Sequence, residues 1–159
     1  MDISYKIENE RFNYRVCAII INENKLLTMY DTDASYYYLP GGRVQLHETA
    51  EKAILRELNE ELEIEAQIIR PLWINQSFFV EKVKNEKYHE LCIYFYIDIS
   101  NTKVLKRGEY FEIKEKNKIQ KFHWLDIFSL KKYNIYPKFI KENIIKLPEH
   151  IVLQCEYEY

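Results

Sequence analysis

Apolar residues recur along the chain in short runs that polar turns separate, and this pattern predicts β-strands. Residues 15–21 are β-branched and apolar, and residues 25–30 follow after an Asn-Glu-Asn turn, which predicts a hairpin. Residues 1–11 predict a leader that adds an edge strand. Further strands are predicted at four segments and within a charged connection, namely 36–39, 64–80 (as one long strand or two bent ones), 90–99, 121–125 and part of 101–117.

A helical period replaces the strand pattern in two places. Thr49 is a suitable N-cap for a helix that runs to about Leu62, and residues 137–147 begin with proline and carry apolar residues at helical spacing. The elements together predict an α/β fold with two or three helices around a mixed, mostly antiparallel sheet. One domain over residues 1–159 accommodates all of them.

The carboxylates of the first helix lie in an unusual place. Four leucine and isoleucine residues form its apolar stripe, while Glu57 and Glu61 share a row beside that stripe with Glu60 on its flank. These side chains are therefore predicted at the border of the buried face, where charges that serve only solubility are unfavourable.

The net charge, the length of the apolar runs and the cysteine spacing argue against some classes of function. The net charge of −2 argues against a protein that binds nucleic acid through a broad basic surface. No apolar run reaches the ~18 residues of a membrane span, and the first residues are unlike a secretory signal. The three cysteines are widely spaced, which favours reduced thiols and a cytoplasmic location. We therefore expect no membrane and no nucleic-acid partner.

Two of the only three glycines in the chain, Gly41 and Gly42, are adjacent, which indicates a backbone with positive φ or in close contact with a ligand. The acidic helix follows about fifteen residues later. Like charges at its spacing cost ~0.2–0.5 kcal/mol per pair, and a divalent cation would offset that repulsion. Hard oxygen ligands without suitably spaced histidine favour Mg²⁺ or Mn²⁺, and magnesium sites commonly include substrate phosphates. In isolation such a helix is typical of a solvated acidic face.

The complete spacing is more specific. From Gly42, five residues lead to Glu48, seven more lead to Arg56-Glu57-Leu58, and Glu60-Glu61 and Ile64 follow. This pattern resembles the Nudix box of the Nudix hydrolases. One position departs from it, because Glu63 stands where the family usually has the glycine that ends the helix. Either Glu63 adopts the left-handed conformation at a cost of ~1 kcal/mol, or the helix ends by another route.

The resemblance implies a Nudix-like α/β/α sandwich and a metal-dependent hydrolase. Its expected substrate is a small molecule in which a nucleoside diphosphate is linked to another moiety, and water would attack phosphorus to cleave the phosphoanhydride bond. The residues carried over fall into two groups. The metal ligands are Glu57, Glu60, Glu61 and a backbone carbonyl of Gly41 or Gly42; the supporting residues are Arg56, which would orient a glutamate, and Glu48. Apart from the resemblance, Arg15, Tyr38 and Arg43 are candidate substrate contacts.

Several questions stay open at this level. The general base is Glu57 or Glu90, with Glu86 as a weaker alternative. A Nudix-fold nucleotide sensor without activity and an RNA-end hydrolase are the alternative functions, and the intact carboxylates favour the enzyme. Aromatic residues of the strands could stack on a base, although aromatics in strands are more often core. Family members are often dimers, so a homodimer is a further expectation.

Overall fold

A computed structural model describes all 159 residues, which form eleven strands and two α-helices. The strands are β1 Ser4–Ile7, β2 Glu10–Ile19, β3 Ile21–Asn22, β4 Lys25–Asp31, β5 Tyr36–Tyr38, β6 Gly41–Arg43, β7 Gln67–Glu81, β8 Glu86–Asp98, β9 Tyr110–Glu115, β10 Lys118–Asp126 and β11 Val152–Glu158. The helices are α1 Ala50–Leu62 and α2 Ile140–Asn143, with 3₁₀ helices at Val104–Arg107 and Ile127–Lys132. None of these helices has the length and apolar character needed to cross a membrane.

The strands form two sheets instead of the single sheet that the sequence predicts. The larger sheet has the order β1-β2-β8-β7-β11, and β6 pairs with β2 beside it. It is mixed, because β2 lies parallel to β8 and β7 lies parallel to β11, whereas the other pairs are antiparallel. The smaller sheet, β3-β4-β10-β9 with β5 on β4, is antiparallel throughout. The predicted α/β class with a mostly antiparallel arrangement is confirmed.

Two apolar layers lie on opposite faces of the larger sheet, as the two-residue period of its strands requires. Val16 and Phe95 belong to the layer that contains the apolar stripe of α1, together with residues of the smaller sheet. Trp73 and Tyr94 belong to the other layer, which contains α2 and the 3₁₀ helix before it. The helix with the carboxylates is thereby held against the edge where β6 pairs with β2.

Both ends of α1 agree with the sequence pattern. The Thr49 hydroxyl accepts a hydrogen bond from the Lys52 amide at 3.2 Å, so the predicted N-cap is confirmed. At the other end Glu63 adopts the left-handed conformation with φ 57° and ψ 42°, and its amide donates to the Asn59 carbonyl at 3.0 Å. The Arg107 guanidinium donates to the Leu62 carbonyl at 2.6 Å. The helix therefore ends as a glycine-terminated helix would, with glutamate in the glycine position.

Three predictions about the flanks have different outcomes. The edge strand expected within residues 1–11 is present as β1. The helix predicted over 137–147 is wrong in length, because only the single turn of α2 forms and no side chain caps its start. The apolar residues behind that prediction, Phe139, Ile140 and Ile144, are buried nevertheless. Strand β11 was not predicted.

Candidate active site

The two adjacent glycines allow a close approach between β6, β2 and α1. Gly41 lies opposite Cys17 in β2 and has φ +153°, and a Cβ atom there would lie 2.1 Å from the Val16 carbonyl oxygen. A Cβ atom on Gly42 would lie 2.2 Å from the carboxyl carbon of Glu57. Any other residue would displace the neighbouring strand or the glutamate. The glycine pair therefore lets the helix carboxylates touch the backbone of β6.

Glu57 and Glu61 occupy that contact. Glu61 is only 9% exposed, and its Oε2 atom accepts a long hydrogen bond of 3.3 Å from the Gly41 amide. Burial raises the pKa of the Glu61 carboxyl well above its usual value, and the neighbouring charge of Glu57 raises it further. Burial also raises the pKa of Glu57, although Arg56 opposes this shift. Two partly desolvated carboxylates thus lie side by side, as the border position in the helix predicts.

Arg56 ties the glycine loop to the helix. Its Nε and Nη2 atoms donate to the two carboxylate oxygens of Glu48 at 2.7 and 3.0 Å. Its Nη1 atom donates to Glu57 at 2.8 Å, and Nη2 also donates to the Arg43 carbonyl at 3.0 Å. Hydrogen bonds from Arg56 lower the pKa of Glu48. These contacts match the orienting role that the resemblance implies for Arg56 and the loop-supporting role implied for Glu48.

Glu60 occupies a different position from the other two helix glutamates. Its side chain is 48% exposed and lies 3.4 Å from Arg56 Nη1. No group of three or more His, Cys, Asp or Glu side chains is arranged to hold one metal ion. The paired carboxylates of Glu57 and Glu61 still fit a magnesium ion, because Mg²⁺ usually takes one or two carboxylates and completes its shell with water and substrate phosphates.

The larger sheet contributes a second polar group. The parallel register of β2 and β8 places Asn13 beside Glu90 and Arg15 beside Cys92. Asn13 Nδ2 donates to Glu90 Oε2 at 2.7 Å, and Arg15 Nη1 lies 3.9 Å from the same oxygen. The positive charge of Arg15 lowers the pKa values of Glu57 and Glu61, against the larger effect of burial. Its buried Nε atom has no hydrogen-bond partner.

Asn13 is the residue of this group that sequence reasoning missed. It is almost completely buried, and its Oδ1 atom accepts a hydrogen bond from the Ser4 hydroxyl at 2.7 Å while its amide holds Glu90. The available signal was the alternation of polar residues at positions 11, 13 and 15 in β2, which places all three on one face of the sheet.

The three remaining candidates, Tyr38, Arg43 and Glu86, lie in different surroundings. Burial, followed by the charge of Glu61, raises the pKa of the Tyr38 hydroxyl. The Arg43 side chain instead lies 3.7 Å from Asp2, and only its carbonyl serves the loop. Glu86 forms ion pairs with Lys6 and Arg11, and these hold its pKa at about 2, which makes it a poor base.

The other aromatic candidates and the cysteines have mainly structural positions. Trp73 is buried against Tyr94 and Phe139. Phe79 stacks on Tyr88 with ring centroids 5.0 Å apart. All three cysteines are free; Cys17 and Cys92 are buried, and Cys155 is exposed.

Comparison with known proteins identifies the class of the fold and site. A family model described as the NUDIX domain matches residues 11–142. Among solved structures, the MutT protein of Bacillus halodurans is similar with a TM-score of 0.61 and 12% identity over 92% of this chain and 90% of that one. An ADP-ribose pyrophosphatase of Streptococcus suis has a TM-score of 0.53 and 18% identity, covering 90% and 98% of the two chains. A UDP-X diphosphatase has a TM-score of 0.53 and 20% identity, covering 84% and 59%.

The match covers most of the chain, so the chain belongs to the NUDIX domain family. Its enzyme class is that of the Nudix-type pyrophosphohydrolases. A search of curated proteins by sequence gave no match. The structural similarities, at identities below 25%, establish the fold.

Proposed function

We propose that this chain cleaves the phosphoanhydride bond of a nucleoside diphosphate linked to another moiety, and that it uses Mg²⁺ or Mn²⁺ to do so. The observation that carries the proposal is the position of the Glu57 and Glu61 carboxylates against the backbone of Gly41 and Gly42. Two like charges that have lost part of their hydration repel each other. A divalent cation that binds both carboxylates together with a substrate phosphate would relieve that repulsion.

The metal ligands in this proposal are Glu57 and Glu61 with a carbonyl of Gly41 or Gly42, and Glu60 joins them when its exposed side chain turns inward. When bound, the metal would neutralise the phosphates and lower the pKa of a coordinated water. Arg56 holds the loop and Glu57 in one geometry through its fixed fork of donors. Arg15, whose side chain is 32% exposed, would donate to a phosphate oxygen through the accessible part of its guanidinium.

Glu90 is the general base that we favour. Asn13 fixes its carboxylate in one orientation by donating to Oε2, and Arg15 Nη1 lies 3.9 Å from the same oxygen. In the proposed step Glu90 accepts a proton from water, the water oxygen bonds to phosphorus, and the bridging P–O bond breaks so that its electron pair stays on the departing phosphate. The products are two phosphate monoesters, one of which is a nucleoside monophosphate. Glu57 is the alternative base.

Tyr38, whose hydroxyl feels the charge of Glu61, would be the aromatic residue that contacts the substrate. The S. suis protein and the UDP-X diphosphatase take their names from nucleoside diphosphates linked to a second group. These names support the proposed substrate class, and the panel of compounds described next identifies the second group.

The test is a panel of ADP-ribose, nucleoside diphosphate sugars, dinucleoside polyphosphates, oxidised nucleoside triphosphates and capped RNA, each assayed for product with Mg²⁺ or Mn²⁺. We expect Glu61→Gln to lower kcat by at least about 100-fold on whichever compound is cleaved. The matched control is Glu51→Gln, because Glu51 lies on the same helix but is exposed. Cleavage of no compound, or equal activity of Glu61→Gln, contradicts the proposal.

A thermal readout tests the metal without activity. A ligand that binds only the folded state raises Tm, and Mg²⁺ should do so in the wild type and in Glu51→Gln. The rise should be lost in Glu61→Gln. The same increase in all three proteins would place the metal elsewhere.

A further inference from the structure

Strand β11 is an edge strand that lies outside the stretch matched by the NUDIX family model. Its inner edge pairs in parallel with β7 from Val152 to Glu158. None of the other backbone hydrogen bonds of the protein involves residues 151–159, so its outer edge presents unpaired amides and carbonyls. No proline, lysine or bulge in β11 protects that edge, although such devices commonly prevent edge-to-edge association.

One face of this strand is also unusually apolar. Alternate residues of an extended chain share a face, and here they are Ile151, Leu153, Tyr157 and Tyr159, with exposures of 53%, 69%, 70% and 55%. Cys155 lies between them and is exposed. We call these five residues the β11 face. Exposed apolar residues are ordinary when scattered, but a contiguous set on a free edge marks an interaction surface.

The β11 face continues into a row of rings that crosses the whole sheet. Cross-strand pairing places Tyr5, Phe12, His89, Phe78 and Tyr157 side by side on β1, β2, β8, β7 and β11. Phe78 stacks on His89 with ring centroids 4.4 Å apart, and Tyr157 lies 5.3 Å from Phe78. A cavity of about 420 Å³ lies along this row.

We propose that β11 is the interface between two copies of this chain, paired antiparallel about Cys155. Cys155 is the central residue of the strand, so this register lets all seven residues of Val152–Glu158 face a partner. Leu153 then faces Tyr157 of the second copy, and Gln154 faces Glu156. No two carboxylates lie directly opposite each other, whereas a register centred on Glu156 would oppose that residue to its own copy. The proposal is independent of the proposed function.

The apolar area agrees with an association of this kind. A fully exposed large side chain presents ~150–250 Å², so the four apolar side chains of the β11 face offer roughly 400 Å². A standard interface buries about 800 Å² per partner, of which about 60% is apolar. Edge pairing covers the part of this area that faces the partner strand, so the β11 face contributes cross-strand apolar contacts and the edge hydrogen bonds fix the orientation of the two copies.

A planar aromatic ligand fits the same region less well. The stacking surfaces of Phe78 and His89 already cover each other, which leaves few free ring faces for a base. Lys87 is the cation on the cavity wall that no carboxylate holds, and it lies over the Tyr159 ring, 5.9 Å from its centroid. Arg11 is occupied by Glu86. A second copy, which needs only an apolar face and a strand edge, is the better occupant.

The first experiment measures mass by analytical ultracentrifugation at micromolar concentration. The wild type should sediment at twice the chain mass of 19.5 kDa. Leu153→Lys should reduce it to a monomer, because two lysines would face the partner's apolar residues. Phe128→Lys is the matched control, since Phe128 is 63% exposed but lies on a 3₁₀ helix away from β11, and it should remain a dimer. Circular dichroism checks that each variant is folded.

The second experiment uses the wild type and probes the register. Residues directly opposite in an antiparallel pair have Cα atoms about 4.5–5.5 Å apart, within the ~4.4–6.8 Å range of disulfides. Diamide accepts two electrons and two protons from the two Cys155 thiols, so a covalent dimer should form. It should be absent in Cys155→Ser, because Cys17 and Cys92 are buried. A monomeric wild type, a dimer unaffected by Leu153→Lys, or a dimer that diamide does not cross-link overturns the proposal.

Discussion

Glu63 gives a quantitative test of how this chain departs from the Nudix box. The residue has φ 57° and ψ 42°, a conformation that costs a side chain with a Cβ atom about 1–2 kcal/mol relative to glycine. Its side chain is exposed and makes no hydrogen bond or ion pair in the structure, so removing it sacrifices no specific contact. We therefore expect Glu63→Gly to stabilise the protein.

The net gain is smaller than the conformational cost. Glycine increases the entropy of the unfolded chain, which returns about 0.4–1 kcal/mol. A net stabilisation of about 0.5–1 kcal/mol remains. For a chain of this length a change of 1 kcal/mol moves Tm by about 2–4 °C, so Tm should rise by about 1–4 °C.

The assay is urea denaturation with thermal denaturation as a second readout. Glu63→Gln is the matched control, because it removes the charge near the carboxyl end of the helix while it keeps the left-handed cost. We expect Gln to give less than half the gain of Gly. A destabilised Glu63→Gly, or an equal gain in both variants, would refute the conformational argument and leave helix electrostatics as the cause.

Four further outcomes follow from the same contacts. Thr49→Ala should cost about 1 kcal/mol in urea denaturation, because the Lys52 amide loses its acceptor. Gly42→Ala should lower kcat on the order of 100-fold with little change in the circular dichroism spectrum, since its Cβ atom would overlap the Glu57 carboxyl. Glu86→Gln should flatten the pH dependence of stability: the wild-type carboxyl has a pKa of about 2 against 4.5 unfolded, so its contribution is complete above pH 4.5 and is lost as the pH falls towards 2. Arg107→Ala should destabilise by about 1 kcal/mol in thermal denaturation, because the Leu62 carbonyl loses a charged donor.

Local chemistry explains which parts of the site could be predicted. The N-cap Thr49 and the border position of Glu57 and Glu61 follow from residue spacing on one helix. Three members of the predicted apolar stripe are buried, namely Ile54, Leu58 and Leu62, whereas the fourth, Leu55, is exposed. Glu60 departs from that count, because its side chain is 48% exposed instead of lying at the border of the buried face.

Long-range pairing explains what could not be predicted. Asn13 and Glu90 are 77 residues apart, and only the parallel register of β2 and β8 brings them together. Strand β11 was missed although its apolar residues alternate with Gln and Glu, which is the pattern of a half-buried strand; its parallel pairing with the distant β7 could not be predicted. The helix predicted over 137–147 was too long for a related reason. One helical turn is enough to bury Phe139 and Ile140, and the apolar spacing alone does not show that the helix ends there.

The parallel pairing of β2 with β8 has a consequence for how the protein folds. Synthesis delivers the glycine pair and α1 to solvent before β8, and a chain that stops before Glu86 lacks the strand that covers β2 in the finished sheet. Bringing β2 and β8 together closes a long loop, and this costs entropy before any contact between the two strands forms. The contact order is therefore high, which predicts slow folding. Until β8 is synthesised, the edge of the apolar strand β2 that pairs with β8 has no partner. The nascent chain that still lacks β8 is therefore the species most exposed to aggregation.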